Sequence, residues 1–217
     1  MNPDKRSNQF FSQFRLRTYK KGEILIYPDS QPAFAFYIRN GFVRIYTISP
    51  QGVEVTLHIF SPYVCFPMMW IISDIPNHYY FEALTPLEVN CVPREKVVTY
   101  LKKEPVVLLD LTRRLLFALD KMSARIESLV FMPAYLRVIS ALLFTVRRFG
   151  NYLTDCDAVL KYKFTHRDIA SLAGVSRETA SRAIEELQRS GIIGKKQHMI
   201  EIKDVNKLET MIKNHSE

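Results

Sequence analysis

The stretch Phe164-Thr165-His166-Arg167-Asp168-Ile169-Ala170-Ser171-Leu172-Ala173-Gly174-Val175-Ser176-Arg177-Glu178-Thr179-Ala180-Ser181-Arg182-Ala183-Ile184-Glu185-Glu186-Leu187 decides how the chain is read. Thr165 followed three residues later by Asp168 has the form of a capping box, with Asp in place of the better-fitting Glu. Ile169, Ala170, Leu172 and Ala173 give one short apolar helical face, and Gly174 supplies a sharp turn. Ser176 then caps a second helix whose inner side is Ala180, Ala183, Ile184 and Leu187. The spacing predicts a helix-turn-helix. Exposed at the start of its second helix are Arg177, Glu178, Ser181 and Arg182, the candidate base-reading set. Arginine bonds guanine O6 and N7 bidentately and glutamate accepts from cytosine N4, each good pair supplying about 1–3 kcal/mol of discrimination. Thr165, His166, Arg167, Ser176 and Thr179 join them as candidates for positioning on phosphates.

Working outward toward the C-terminus, Ser190-Gly191 closes the second helix, and Ile192-Ile193 and Met199–Ile202 read as two short strands around the turn Gly194–His198. This hairpin has the form of a wing, with Lys195, Lys196 and His198 suited to phosphate contacts. Toward the N-terminus, Pro105–Met132 has no internal Gly or Pro and reads as one helix of roughly seven turns. Leu108, Leu111, Leu115, Ala118, Met122, Arg125, Leu129 and Met132 recur at alternating spacings of three and four, a heptad seam broken only by Arg125. Beside it runs a second apolar stripe of Leu109, Leu116, Leu119, Ile126 and Val130. Pattern alone fits a core helix equally well; the helix's length favours a dimer, with the seam from Leu108 to Leu129 as its interface. Pro133 ends this helix and starts another over Leu136–Phe149, followed by Gly150 and the polar loop Asn151–Asp157.

From Thr18 to about Val92 the pattern is strand-like: Ile24–Tyr27, Ala35–Ile38, Phe42–Thr47, Val53–Phe60 and Glu88–Val92, separated by Gly, Pro and Asn at turn positions. Asn40-Gly41 between two apolar runs predicts a hairpin. The expected fold is therefore α+β. An N-terminal antiparallel β-roll occupies 1–104, a dimerisation helix 105–132, and a winged helix-turn-helix 133–217.

The 217 residues, 47% of them hydrophobic, suffice for one large core or two modest ones. A net charge of +8 favours a polyanionic partner, since neutralising phosphates releases counterions. Cys65, Cys91 and Cys156 are scattered, without the C-x-x-C spacing of a zinc site or a disulfide framework, and fit a reducing cytoplasm. Met1–Arg17 is polar and basic, unlike a secretory signal, and no window is apolar enough for a membrane span. Within the roll, His58 and His78 are too few for a metal-dependent oxygenase, and the seven glycines form no phosphate-cradling loop. Enzyme activity is not expected.

With these residues in view, the chain resembles the CRP/FNR family of transcription regulators over nearly its whole length. The specific part is R-E-T-x-x-R at Arg177, Glu178, Thr179 and Arg182; the segments Lys21-Gly22-Glu23, Gly41 and Gly52-Val53-Glu54 look like the family's β-roll. The resemblance implies an effector domain, a dimerisation helix, and a winged helix-turn-helix that recruits or blocks RNA polymerase. It also implies a TGTGA-like half-site for Arg177, Glu178 and Arg182, while Ser181 matches a position used by the family's TTGAT readers. Where the family commonly offers an acidic helix cap at the hinge, this chain has Pro133.

The family's cyclic-nucleotide members carry a Gly-Glu pair and an Arg-Ser pair. Here those regions read Cys65-Phe66-Pro67-Met68-Met69-Trp70 and Pro76–Glu82, with no arginine for the phosphate, and a buried anion without such a partner is disfavoured. Binding of cAMP or cGMP is therefore not expected. Three scattered cysteines argue against an iron–sulfur centre. Haem would need His58, His78 or Cys65 as a ligand, and a lone strand histidine is more often structural. Cys65 as a redox switch lacks a neighbour to lower its pKa. The segment Phe60–Phe81 either fills the roll, the preferred reading, or lines a pocket for a hydrophobic effector through Cys65, Met68, Met69, Trp70 and Tyr79. A winged helix that binds protein rather than DNA is the alternative of another class.

Overall fold

The computed structural model describes residues 3–73 and 75–214, so the ends of the two outer expected domains lie outside the described residues. The chain divides into two compact units, residues 1–47 with 57–123, and residues 48–56 with 124–217.

In the first unit, helix α1 (Pro3–Phe11) precedes strands β1 (Leu16–Tyr19), β2 (Ile24–Ile26), β3 (Phe34–Asn40), β4 (Val43–Ile48), β5 (Glu54–Phe60) and β6 (Cys65–Phe66), with Ile48 at the end of β4 and Glu54–Thr56 at the start of β5 assigned to the second unit. The short helix α2 (Met68–Ser73), strands β7 (Tyr80–Ala83) and β8 (Leu87–Pro93) and helix α3 (Arg94–Lys103) follow. Two four-stranded antiparallel sheets result, ordered β1-β8-β3-β6 and β2-β7-β4-β5. β3 shows why its sequence lacks polar alternation. Successive side chains point to opposite faces, so Phe36 and Ile38 enter one core with Phe66, Trp70 and Phe81. Ala35 and Tyr37 enter another with Phe11, Val97, Leu101 and Val107. The strand is covered on both sides.

The hairpin expected at Asn40-Gly41 is not formed. β3 pairs with β8 and β6, whereas β4 lies in the other sheet. Gly41, at φ 87°, turns the chain between sheets, and a Cβ there would sit 2.2 Å from the Pro86 carbonyl oxygen. Close backbone approach, rather than a two-residue turn, is what requires glycine.

The proposed effector pocket is also not assembled. Cys65 and Met68 pack with the second core, Trp70 and Tyr79 with the first, and Met69 is exposed. Stacked rings occupy the roll: Phe66 lies 5.5 Å from Phe36, 5.2 Å from Phe60 and 5.6 Å from Phe81, and Trp70 meets Phe81 edge-on at 5.5 Å. Burial pushes the Cys65 thiol far above its ordinary range, opposite to what a reactive thiolate needs. Arg44, a buried cation of this unit, sits opposite Glu82 across β4 and β7 at 2.9 Å and over the Tyr46 ring at 4.3 Å.

Helix α4 (Pro105–Phe131) keeps its expected length. Its seam does not behave as one surface: Leu108, Leu115 and Met122 are exposed, while Leu111, Ala118, Arg125 and Leu129 are half-buried. Leu111 packs with the second core. The barest stripe is the neighbouring one, Leu109, Leu116, Leu119, Ile126 and Val130.

In the second unit, helix α5 (Ala134–Phe149) starts at Pro133, as expected, and buries Leu136, Val138, Ile139, Leu142 and Val146. Strands β9 (Gly150–Tyr152) and β10 (Ala158–Leu160) follow, so the expected polar loop is shorter than its sequence suggested. Helices α6 (His166–Ala173) and α7 (Arg177–Arg189), strands β11 (Ile193–Lys196) and β12 (Met199–Ile202), and helix α8 (Val205–Lys213) complete it. The sheet order is β11-β12-β10-β9. No helix among the described residues is long and apolar enough to cross a membrane.

Candidate nucleic-acid interface

The two helices α6 and α7 begin and turn as their sequence dictates. The Thr165 hydroxyl accepts from the Asp168 N–H, and the Asp168 carboxylate accepts from the Thr165 N–H at 2.7 Å, a complete capping box. Gly174 adopts the left-handed conformation at φ 64°, where an L side chain is strained. The Ser176 hydroxyl accepts from the Thr179 N–H at 3.1 Å and starts α7. Ala180, Ala183, Ile184 and Leu187 are buried, which directs the opposite side of α7 outward.

On that outer side Arg177, Glu178 and Arg182 are exposed, and Ser181 is half-buried. Glu178 is held below the ordinary carboxylate range, first by its own backbone N–H, then by the Ser176 hydroxyl and the charges of Arg177 and Arg182. It is an ionised acceptor between two cationic donors. The helix N-terminus adds the partial positive charge of its free N–H groups.

The other candidates have partners of their own. Ser176 and Thr179 hydroxyls lie 3.0 Å apart. His166 Nδ1 is 2.9 Å from Ser181 Oγ. Arg167 donates to Glu54 at 2.6 Å, a carboxylate of the second unit's 48–56 segment. Lys195 and Lys196 are exposed on β11, ahead of a turn narrower than expected, in which Gln197 and His198 both take positive φ.

Arg125 departs most from expectation. Its guanidinium donates to the Leu172 carbonyl at 2.6 Å and to the Thr56 carbonyl at 3.0 Å, so it is engaged by its own chain. Arg137 donates to the Gly174 carbonyl at 3.0 Å. Together they neutralise the carbonyl end of α6, where free acceptors and the helix dipole favour cations. Burial, then the charge of Arg137, lowers the Arg125 pKa from its ordinary value. The one sequence signal was the arginine interrupting an apolar seam; Arg137 and Glu54 gave none.

Residues 16–104 match the cyclic nucleotide-binding domain model and residues 136–211 the Crp-like helix-turn-helix domain model. The chain is 26% identical over 198 residues to the cyclic AMP receptor protein of Thermus thermophilus, covering 91% of this chain and 88% of that protein. It is 23% identical over 180 residues to the global nitrogen regulator of a Nostoc species, covering 82% and 80% of the two chains. The solved structure of a CRP/FNR-family transcriptional regulator, also from Thermus thermophilus, superposes with a TM-score of 0.76 at 25% identity, covering 92% of this chain and 98% of that one. With a cyclic-nucleotide-type β-roll before one long helix in the sequence and a Crp-like helix-turn-helix after it, the chain belongs to the CRP/FNR family of DNA-binding transcription regulators.

Proposed function

We propose that the protein works as a homodimer on a palindromic TGTGA-like site, with one α7 in each of two successive major grooves about 34–36 Å apart. The observation that carries this is the exposed row Arg177, Glu178 and Arg182 on a helix whose other side is buried. Arg177 and Arg182 are assigned to guanine, Glu178 to cytosine N4. Lys195, Lys196 and the N-terminal residues of α6 and α7 hold phosphates, and Arg167 joins them on leaving Glu54. The dimer surface is the bare stripe Leu109, Leu116, Leu119, Ile126 and Val130, because the seam beside it is partly spent on its own chain.

Control by cyclic nucleotide is not part of this proposal. Aromatic rings occupy the roll, and Arg44 is already neutralised by Glu82, so no displaceable cation among these residues suits a cyclic phosphate. By family membership the DNA-bound dimer acts on RNA polymerase, in the cytoplasm where the chromosome lies.

Fluorescence anisotropy with no ligand added, on a TGTGA palindrome against a scrambled duplex at several salt concentrations, tests this. Selective binding that weakens steeply with salt is expected. Equal affinity for both duplexes, with and without cAMP, would overturn it.

A further inference from the structure

His166 opens α6, Ser181 lies on the second turn of α7, and the two side chains meet at 2.9 Å between Nδ1 and Oγ. Both are half-buried beside the exposed Arg177, Glu178 and Arg182. A serine hydroxyl has one proton to donate and two lone pairs to accept with. A neighbour that takes the proton leaves Ser181 an acceptor only; a neighbour that donates leaves the O–H free. The polarity of this one bond therefore decides which base edge Ser181 complements.

The imidazole is surrounded by Arg177 and Glu185 of α7 and Lys195 of β11, with Arg167 and Asp168 on its own helix. Burial, then Lys195 and Arg177, outweigh Glu185 and lower its pKa from the ordinary 6.5. That direction favours the neutral ring, which carries one proton. A DNA phosphate only accepts, so with His166 holding a phosphate through Nε2, as its assignment to the phosphate-positioning set requires, Nε2 keeps that proton and Nδ1 is left as the acceptor.

We propose that His166 is a positioning residue for base selection: on DNA its Nδ1 accepts the Ser181 proton, so Ser181 offers acceptor lone pairs alone and selects an exocyclic amino group. Adenine N6 and cytosine N4 provide one in the major groove; guanine O6 and N7 and thymine O4 are acceptors and do not. This rests on α7 entering that groove. Acidification reverses the bond, because an imidazolium Nδ1–H donates to Oγ and frees the hydroxyl proton, so the preference weakens as pH falls.

The test is anisotropy of the full chain on duplexes carrying all four base pairs at every half-site position, at neutral and mildly acidic pH. Ser181→Ala is expected to lower discrimination at one position by about two- to tenfold, the worth of one hydrogen bond. His166→Ala is expected to do the same at the same position, and the double variant to do no more than either. Mild acid reproduces the loss in the native protein and not in Ser181→Ala. His166→Gln replaces the alanine variant if the latter loses its helical circular dichroism. The proposal is overturned if His166 variants weaken all duplexes alike, if Ser181→Ala leaves the base ranking unchanged, or if acid has no effect on it. Where Ser181→Ala is silent but Arg182→Ala still changes the ranking, groove reading by α7 stands and only this proposal falls. If no α7 variant changes the ranking, the proposed function falls with it.

Discussion

Leu119→Glu at the middle of α4 separates assembly from folding. Leu119 is 60% exposed and Leu116 and Val130 on the same stripe are 62% and 67% exposed, so most of this leucine's surface makes no contact within one chain. Glutamate is nearly as good a helix former as leucine, and the monomer is expected to keep its helicity and urea midpoint. Burying a leucine fully is worth about 1.5–3 kcal/mol, so covering the exposed three-fifths against a twin helix contributes about 1–2 kcal/mol. A two-fold interface counts the change twice, giving about 2–4 kcal/mol and a dimer dissociation constant weakened about 30- to 700-fold. Facing glutamates add to this. Sedimentation velocity over a concentration series reads the constant directly, with Ala124→Glu, exposed on the same helix but off the stripe, as the control. A Leu119→Glu protein that sediments as an unweakened dimer, or an Ala124→Glu protein equally impaired, would refute the assignment of the stripe.

Arg125→Leu is expected to destabilise the second unit by about 1–3 kcal/mol in urea titrations, through loss of its two charge-assisted bonds to carbonyls. Were Arg125 to face a twin helix, leucine would tighten the dimer instead. Glu54→Gln releases Arg167 and should raise affinity for every duplex by up to about fivefold without altering base ranking, as suits an ion pair whose arginine is solvent-screened although its Glu54 side chain is buried; a changed ranking counts against a phosphate role for Arg167. Gly174→Ala, at φ 64° with the new Cβ 2.9 Å from Leu129 Cδ2, should cost about 1–2 kcal/mol of stability, and an unchanged urea midpoint would show that the turn tolerates a side chain.

The winged helix-turn-helix was the most legible part of the chain, since its signals are local. Capping by Thr165 with Asp168 and by Ser176, the left-handed Gly174 and the buried spacing Ala180-Ala183-Ile184-Leu187 each act within about one helical turn. The exposed candidates for base contact could likewise be read directly, because exposure on α7 follows from which residues it buries. Strands β2, β3, β4, β5, β8, β11 and β12 were legible too, but β1, β6, β7, β9 and β10 were not, and α2 was hidden in an aromatic run that reads equally well as a strand.

Partners distant in sequence were not legible. Asn40-Gly41 has the composition of a hairpin, yet β3 and β4 join different sheets, and only the approach of the Pro86 carbonyl explains the glycine. Arg125 fits a heptad by spacing, but its hydrogen bonds run to Leu172 and Thr56, far along the chain. Two parallel apolar stripes on α4 are indistinguishable by period; which of them the chain covers depends on what packs against the helix. By itself the sequence determined helices α4 to α7, the caps of α6 and α7, the turn between them and the exposure of the candidate residues Arg177, Glu178 and Arg182, all of which rest on short-range sterics and hydrogen bonding. Tertiary structure alone decided strand pairing, the filling of the roll, the bare face of α4 and the bonds that engage Arg125, Arg167 and Ser181, because those depend on contacts between segments whose separation along the chain carries no periodic signal.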